Sequence, residues 1–176
     1  MAPLFTIIKP VSSIRFRPID FEADRDFLRE VYGKCRLDSD AIASMTPGER
    51  DFFINMQYKA QCDHYIKEFP NAHYSVMIDE NNEQVGRLFL DKREKEYRIL
   101  DIGLLPSFRG KGIGKQVIGD IISEAESDQP PRSVTIYVER MSPSLSLFVN
   151  LGFESVLVDS SGNSFFMTRK PGKPEA

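Results

Sequence analysis

The sequence predicts an α/β protein whose central mixed sheet has about seven strands, with helices on both faces. Three observations support this prediction. Segments that alternate apolar and polar residues predict strands, and segments with apolar residues at helical spacing predict amphipathic helices between them. Two pairs of strand segments are joined by short polar turns, as in antiparallel hairpins. A strand, a helix and another strand lie between these hairpins, and such a crossover joins parallel strands, so the sheet is expected to be mixed.

The first third of the chain is predicted to form a strand and two helices. Residues 14–18 alternate apolar and basic side chains, as a short strand does. Asp20 is a candidate N-cap for the helix that follows. A second helix is expected to begin after Thr46 and to end near Phe69, because Thr46 and Glu49 can form a capping box.

Strands and helices alternate in the rest of the chain. Strands are predicted at residues 73–78, 84–90, 97–105, 133–138, 155–159 and 165–169. Helices are predicted at residues 112–126 and, as a short segment, from Ser142 to Gly152. We expect one domain over residues 1–170 and a disordered C-terminal tail over residues 171–176, which is polar and rich in proline.

The composition argues against several classes of function. A net charge of −3 leaves no basic surplus for binding a nucleic-acid backbone. No stretch approaches the ~20 apolar residues of a membrane span, and the start lacks the pattern of a secretory signal. Cys35 and Cys62 are expected to be reduced and buried, as in a cytoplasmic protein. The two histidines and two cysteines are dispersed, so no metal site is expected.

The most informative segment is the glycine-rich turn Arg109-Gly110-Lys111-Gly112-Ile113-Gly114. It lies between a predicted strand and a predicted helix, and the first amides of a helix have no internal partner and attract anions. Its glycines let the backbone approach a ligand closely, and its arginine and lysine add positive charge. The turn therefore predicts a phosphate or pyrophosphate site. The alternative is an ordinary glycine-rich turn with solvated surface charges.

Two common phosphate-binding patterns do not fit this turn. A Walker A loop needs one more residue than Gly110 to Gly114 provides, and Gln116 stands where it needs serine or threonine. The dinucleotide fingerprint would need glycine at Lys115 or at Val117. A nucleotide-binding protein is therefore disfavoured.

The pattern that fits is Arg109-x-x-Gly112-x-Gly114, which resembles the coenzyme A loop of the GNAT acetyltransferase superfamily. The preceding Leu104-Leu105-Pro106 is similar to the end of that family's fourth strand. The segment Ser142–Phe153 is similar to the family's Asn-Pro-Ala…Leu-Tyr…Leu-Gly-Phe segment. The resemblance is strong in sequence from Ile99 to Phe153, and as topology it extends over residues 14–169.

The resemblance implies a GNAT fold and the transfer of an acetyl or other short acyl group from acetyl-CoA to a primary amine. The amine would belong to a small molecule or a peptide, and neither nucleic acid nor membrane would be a partner. The turn would hold the CoA pyrophosphate, and the preceding strand would pair with the pantetheine arm. The implied cofactor-binding residues are Ile102, Leu104, Leu105, Arg109, Gly110, Lys111, Gly112, Ile113, Gly114, Lys115 and Ser142. The oligomeric state is open, with a homodimer as one alternative.

Five polar residues are candidates for catalysis and for acceptor binding. Asp101 is a carboxylate in an apolar strand, and either acts as a general base or makes a structural hydrogen bond. Glu139, at a strand end, either relays a proton or forms an exposed salt bridge. Gln57, Gln61 and His64 share one helical face. By the resemblance this face lines the acceptor pocket; the alternative is a hydrated outer face.

Phe148 departs from the family pattern. Many relatives carry a tyrosine there, whose hydroxyl is thought to protonate the leaving thiolate, and phenylalanine cannot do so. The alternative function is therefore a CoA-binding sensor or interaction module without catalysis. The two rings have nearly the same volume, so Phe148→Tyr is expected to leave the packing unaffected.

Overall fold

Seven strands and five helices are found in the described part of the chain, residues 14–36 and 40–172 of a computed structural model. The strands are β1 (Arg15–Pro18), β2 (His73–Ile78), β3 (Gln84–Lys92), β4 (Glu96–Leu104), β5 (Ser133–Glu139), β6 (Glu154–Val158) and β7 (Ser164–Arg169). The helices are α1 (Arg25–Arg36), α2 (Asp40–Ala43), α3 (Pro47–Glu68), α4 (Ile113–Ser127) and α5 (Leu145–Asn150). A 3-10 turn, Pro106–Phe108, follows β4.

All seven strands belong to one sheet with the order β1-β2-β3-β4-β5-β7-β6. The pairs β1–β2, β5–β7 and β6–β7 are antiparallel, whereas β4–β5 is parallel because α4 carries the chain back between them. The prediction of an α/β fold with a mixed seven-stranded sheet is confirmed.

The chain divides into two compact units. The amino-terminal unit comprises Arg15–Phe89 and Asp101–Lys111, and the carboxy-terminal unit comprises Leu90–Leu100 and the residues from Gly112 onward. Strands β3 and β4 contribute residues to both units. One domain over residues 1–170 stays a prediction.

Side-chain contacts at the two predicted helix starts of the amino-terminal unit have different outcomes. At α3 the predicted capping box forms, since the Glu49 amide donates to Thr46 Oγ1 at 3.4 Å and the Thr46 amide donates to Glu49 Oε2 at 2.9 Å. Helix α1 begins later than predicted. The Asp20 carboxylate accepts from the amides of Glu22 and Ala23, at 3.0 Å each, and these contacts shape a turn before the helix.

One core cluster of the amino-terminal unit lies where α1 and α3 pack together. It is formed by Leu28, Tyr32, Tyr58 and Cys62. In the carboxy-terminal unit, α4 has the apolar face that the sequence predicts. Its buried residues are Val117, Ile118, Ile121, Ile122 and Ala125.

The ends of the chain are described in part. Gly172 lies in a turn, and its amide donates to Glu126 Oε1 at 3.0 Å. Residues 1–13 and 173–176, which include most of the predicted tail, lie outside the described residues, as do residues 37–39 between the first two predicted helices. Within the described ranges, no helix is both long enough and apolar enough to cross a membrane.

Candidate functional site

The glycine-rich turn has a backbone conformation that requires glycine. Gly110 has φ of 71° and Gly112 has φ of 82°, both in the left-handed region where other residues are strained. A Cβ built on either glycine would have no atom within 4 Å. The space above the turn is therefore open, and a ligand can approach the main chain there.

Helix α4 begins directly at this turn. Gly112 is the N-cap, and it offers no side chain to cap the helix. The first intrahelical bond at this end runs from the Gln116 amide to the Gly112 carbonyl, at 3.0 Å. The amides of Ile113, Gly114 and Lys115 precede that bond, and such amides favour an anion. This open cradle fits a pyrophosphate.

A groove of about 450 Å³ runs along α4 within the carboxy-terminal unit. Burial in its wall raises the pKa of the Asp120 carboxyl above its ordinary value. Lys115 is exposed at the cradle end of the groove. The lining residues are Gly112, Lys115, Gln116, Gly119, Asp120, Ile122, Ser123, Glu126, Leu151 and Arg169.

The Arg109 side chain is anchored within the amino-terminal unit. Its Nε donates to the Leu104 carbonyl at 2.9 Å, and its Nη2 donates to the Lys34 carbonyl at 3.2 Å. The second contact is made in the last turn of α1, where a cation also interacts favourably with the helix dipole. Lys111 is exposed, with its ammonium 5.4 Å from the centre of the Phe108 ring.

The second half of β4 lies beyond its parallel pairing with β5. That register covers Glu96–Ile99, so Ile102 and Leu104 come after it. The main chain of Leu105 is engaged inside the protein: its amide donates to the Val85 carbonyl at 3.0 Å, and its carbonyl accepts from the Phe108 amide at 3.0 Å. Of the three residues implied in pantetheine pairing, Leu105 thus has both main-chain groups engaged, and the carbonyl of Leu104 accepts from Arg109 Nε.

Asp101 forms an ion pair with Arg87, which the sequence analysis did not single out. Arg87 Nε donates to Asp101 Oδ2 at 2.6 Å, and Arg87 Nη2 donates to Gln61 Oε1 at 2.9 Å. Arg87 is 2% exposed, whereas the Asp101 side chain is 23% exposed. An arginine inside the apolar strand Val85–Leu90 is the sequence signal that could have found this residue.

The guanidinium of Arg87 is held on several sides. Burial alone would lower the pKa of Arg87, but the charge of Asp101 raises it, and the net direction is upward. The guanidinium carbon lies 5.7 Å from the centre of the Tyr32 ring and 5.0 Å from that of Phe89. Nη1 has no hydrogen-bond partner among the described residues.

The three residues of the predicted acceptor face have different surroundings on α3. Gln61 reaches Arg87, as described above. Gln57 is half-buried. His64 is exposed, and its ring lies 5.7 Å from that of Tyr65 and 6.3 Å from that of Phe69. Only Gln61 of the three is brought to the Asp101 ion pair.

The expectation that both cysteines are buried is wrong for Cys35. Cys62 is buried and Cys35 is exposed as a residue, although its sulfur lies 3.6 Å from Arg109 Nη2. Burial around the sulfur raises the pKa of the Cys35 thiol, an effect that Asp101 strengthens and Arg109 opposes. Both thiols are free.

The remaining candidates belong to the carboxy-terminal unit. Glu139 is exposed and lies opposite Ser164 in the β5–β7 register. Ser142 Oγ lies 2.8 Å from Ser144 Oγ. Phe148 is 2% exposed, and its ring packs edge-on against Phe153 with 5.3 Å between centres. A hydroxyl added to Phe148 would be buried, so the expectation of unaffected packing is revised.

No group of three or more histidine, cysteine or acidic side chains in residues 14–36 and 40–172 could hold a metal ion.

Both the sequence and the fold of this chain are similar to those of known proteins. A model of the acetyltransferase (GNAT) family matches residues 41–153. No curated protein matches the sequence. The chain resembles the PaiA N-acetyltransferase of Thermoplasma acidophilum in complex with coenzyme A, with a TM-score of 0.63 and 20% identity over 90% of this chain and 99% of that one.

Two further solved structures are similar in fold. An acetyltransferase from Thermus thermophilus has a TM-score of 0.61 and 16% identity over 89% of this chain and 96% of that one. Mutant forms of the spermidine/spermine N-acetyltransferase SpeG from Vibrio cholerae have a TM-score of 0.58 and 14% identity, over 89% of this chain and 93% of that one.

Proposed function

The chain belongs to the acetyltransferase (GNAT) family, and we propose that it transfers an acetyl or other short acyl group from acyl-CoA to a primary amine. Acetyl-CoA would supply the acyl group as a thioester. In the transfer the C–S bond of the thioester breaks, an amide bond forms, and CoA leaves as the thiol. The observation that carries the proposal is the open glycine cradle at the start of α4, where helix amides favour an anion.

The cradle would hold the CoA pyrophosphate through the amides of Ile113, Gly114 and Lys115. The exposed ammonium groups of Lys111 and Lys115 add positive charge. Arg109 would act differently from a phosphate ligand, because its guanidinium donates to the carbonyls of Leu104 and Lys34 and so fixes the turn.

Strand β4 would orient the acyl group. The main chain at Ile102 and Leu104 would pair with the pantetheine arm as an added strand, since these residues lie beyond the β5 register. The Leu104 amide would donate to the thioester carbonyl and stabilise the charge that develops on its oxygen. Holding both substrates in place supplies much of the rate in such a transfer.

The acceptor amine would bind beside α3 and Asp101. Gln57, Gln61 and His64 are the proposed acceptor-side residues of α3, and Asp101 and Glu139 are the proposed proton-handling residues. Among these, Gln61 and Asp101 are already joined through Arg87. The amine must lose a proton before attack, because its free pKa is near ~10.

The proposed function is tested by thiol release from acetyl-CoA with a panel of amines. The panel should include amino acids, peptide N-termini and polyamines, since SpeG is a spermidine/spermine N-acetyltransferase. We expect release that depends on one class of amine. The Gly112→Asp variant serves as the control, because it places a carboxylate in the cradle and should lose both CoA binding and release.

A second candidate is a CoA-binding sensor without catalysis, favoured by the buried Phe148 ring, which has no hydroxyl to donate. Both candidates require CoA binding. Calorimetric CoA binding without thiol release from any amine would support the sensor. Absence of CoA binding by the folded wild type would refute both. A cytoplasmic location and a homodimer stay proposals that fractionation and sedimentation would test.

A further inference from the structure

Arg87 contacts three other elements of the amino-terminal unit, and two of them, β4 and α3, carry residues of the proposed site. It extends from β3, pairs with Asp101 on β4 and donates to Gln61 on α3, at 2.6 Å and 2.9 Å respectively. The Tyr32 ring of α1 lies against its guanidinium at 5.7 Å. A residue with one contact to each element can fix how those elements present their side chains.

The burial of Arg87 makes these contacts costly to lose. At 2% exposure, its charge has almost no access to water and depends on the carboxylate of Asp101. Hydrogen bonds to Asp101 and Gln61, together with the Tyr32 ring, hold the direction of this guanidinium. The carboxylate that it holds is therefore fixed in turn.

Asp101 is more open than its partner. Its side chain is 23% exposed, and only Oδ2 has a hydrogen-bond partner among the described residues. Oδ1 thus retains its capacity to accept a hydrogen bond. The next residues of the strand, Ile102 and Leu104, are those proposed to orient the acyl group.

We infer that Arg87 is a positioning residue, which fixes the Asp101 carboxylate so that Oδ1 receives an N–H of the acceptor amine. The inference rests on the proposed acyl transfer. It assigns to Asp101 the task of binding and orienting the amine. Gln61 supports the same arrangement from α3, by accepting a hydrogen bond from Nη2 of the guanidinium.

The test compares steady-state kinetics for Arg87→Met, Asp101→Asn and the double variant. Each single change should lower kcat/KM for the amine by up to about 10²-fold, the loss typical of a misplaced reactive geometry. The KM for acetyl-CoA should stay within about twofold of wild type, because the cofactor contacts are untouched. The double variant should lose no more than the worse single variant, since both changes remove one interaction.

Arg17→Met is the matched control. Arg17 also forms an ion pair in the amino-terminal unit, with Asp24 at 2.8 Å, but it has no part in the proposed site. It should lower the melting temperature without changing amine kcat/KM. If Arg87→Met does not fold, Arg87→Lys is the second test. Lysine keeps the charge but cannot hold both Asp101 and Gln61 in the same geometry. This variant should therefore lower kcat/KM for the amine and leave the KM for acetyl-CoA near the wild-type value.

Three results would overturn the inference. The losses of Arg87→Met and Asp101→Asn could multiply in the double variant, which would show that they act separately. Arg87→Met or Arg87→Lys could lower the melting temperature and leave amine kcat/KM at the wild-type value, which would show a purely structural role. A wild-type protein that turns over no amine would refute the proposed function itself, and with it this inference.

Discussion

The close approach of β3 and β4 can be tested by adding one methyl group at Gly86. A Cβ on Gly86 would lie 2.2 Å from the carbonyl oxygen of Gly103. It would also lie 2.9 Å from Leu104 Cδ2 and 2.9 Å from Met77 Cε. The first of these contacts is to backbone, which cannot rotate away as a side chain can. Gly86→Ala should therefore push β3 and β4 apart.

The size of the effect follows from the distances. The Gly103 carbonyl must move by about 0.8 Å, from 2.2 Å to the 3.0 Å below which real Cβ contacts are essentially never found. Overpacking of this kind typically costs about 1–3 kcal/mol of unfolding free energy. For a chain of this length that corresponds to a fall in melting temperature of roughly 2–12 °C. The moved carbonyl lies between Ile102 and Leu104, so CoA affinity should fall too.

Urea unfolding and calorimetry with CoA measure the two effects. Gly48→Ala is the control, because Gly48 lies in the first turn of α3 and its Cβ would have no atom within 4 Å. This control should keep wild-type stability or gain up to about 1 kcal/mol from the helix preference of alanine. Wild-type stability and CoA affinity in Gly86→Ala would refute the claim that this contact sets the spacing of the strands.

Three further predictions concern the cradle, an ion pair and a buried ring. Gly112→Asp should abolish most CoA affinity in calorimetry while the protein stays folded, because the new side chain fills the cradle with negative charge. The bidentate contact with Arg17 holds the pKa of the Asp24 carboxyl below its ordinary value of 3.8. The ion pair therefore stabilises the fold fully above pH 3.8. This contribution to the unfolding free energy is lost as the pH falls through the lower pKa of the folded state. The difference in unfolding free energy between wild type and Asp24→Asn should therefore shrink below pH 3.8 in urea titrations. Phe148→Tyr should lower the unfolding free energy by roughly 1–3 kcal/mol, because its hydroxyl enters a site that is 2% exposed.

Each of these predictions has a result that contradicts it. Gly112→Ala controls for backbone strain, since it adds an uncharged Cβ at the same φ of 82°; equal CoA losses in Gly112→Ala and Gly112→Asp would mean that strain is the cause. A stability difference for Asp24→Asn that is constant from pH 7 to pH 2 would exclude the ion pair as its source. Unchanged stability in Phe148→Tyr, with a new high-pH limb in kcat, would show that the hydroxyl reaches the leaving thiolate.

Local features of this protein could be predicted from the sequence because they depend on residues a few positions apart. The capping box of Thr46 and Glu49 forms as predicted, since both partners lie in one turn of chain. Gly110 and Gly112 of the glycine-rich turn adopt the left-handed conformation that glycine permits, whereas Gly114 already lies in α4. Apolar periodicity gave the order of the strands and main helices correctly. The short helix α2 was missed, because four residues are too few to show a period.

Contacts between distant residues were decided only by the tertiary structure. Gln61 and Arg87 are 26 positions apart, and Arg109 and Lys34 are 75 apart, so no local pattern pairs them. The sequence places an acid, Asp101, in an apolar strand, and the fold brings Arg87 to it as the paired cation. The sequence has an arginine, Arg109, at a glycine-rich turn, and in the fold its side chain donates to main-chain carbonyls. The chemistry of a side chain determines what it can bind, but the packing of strands and helices determines which partner comes within hydrogen-bond distance of it.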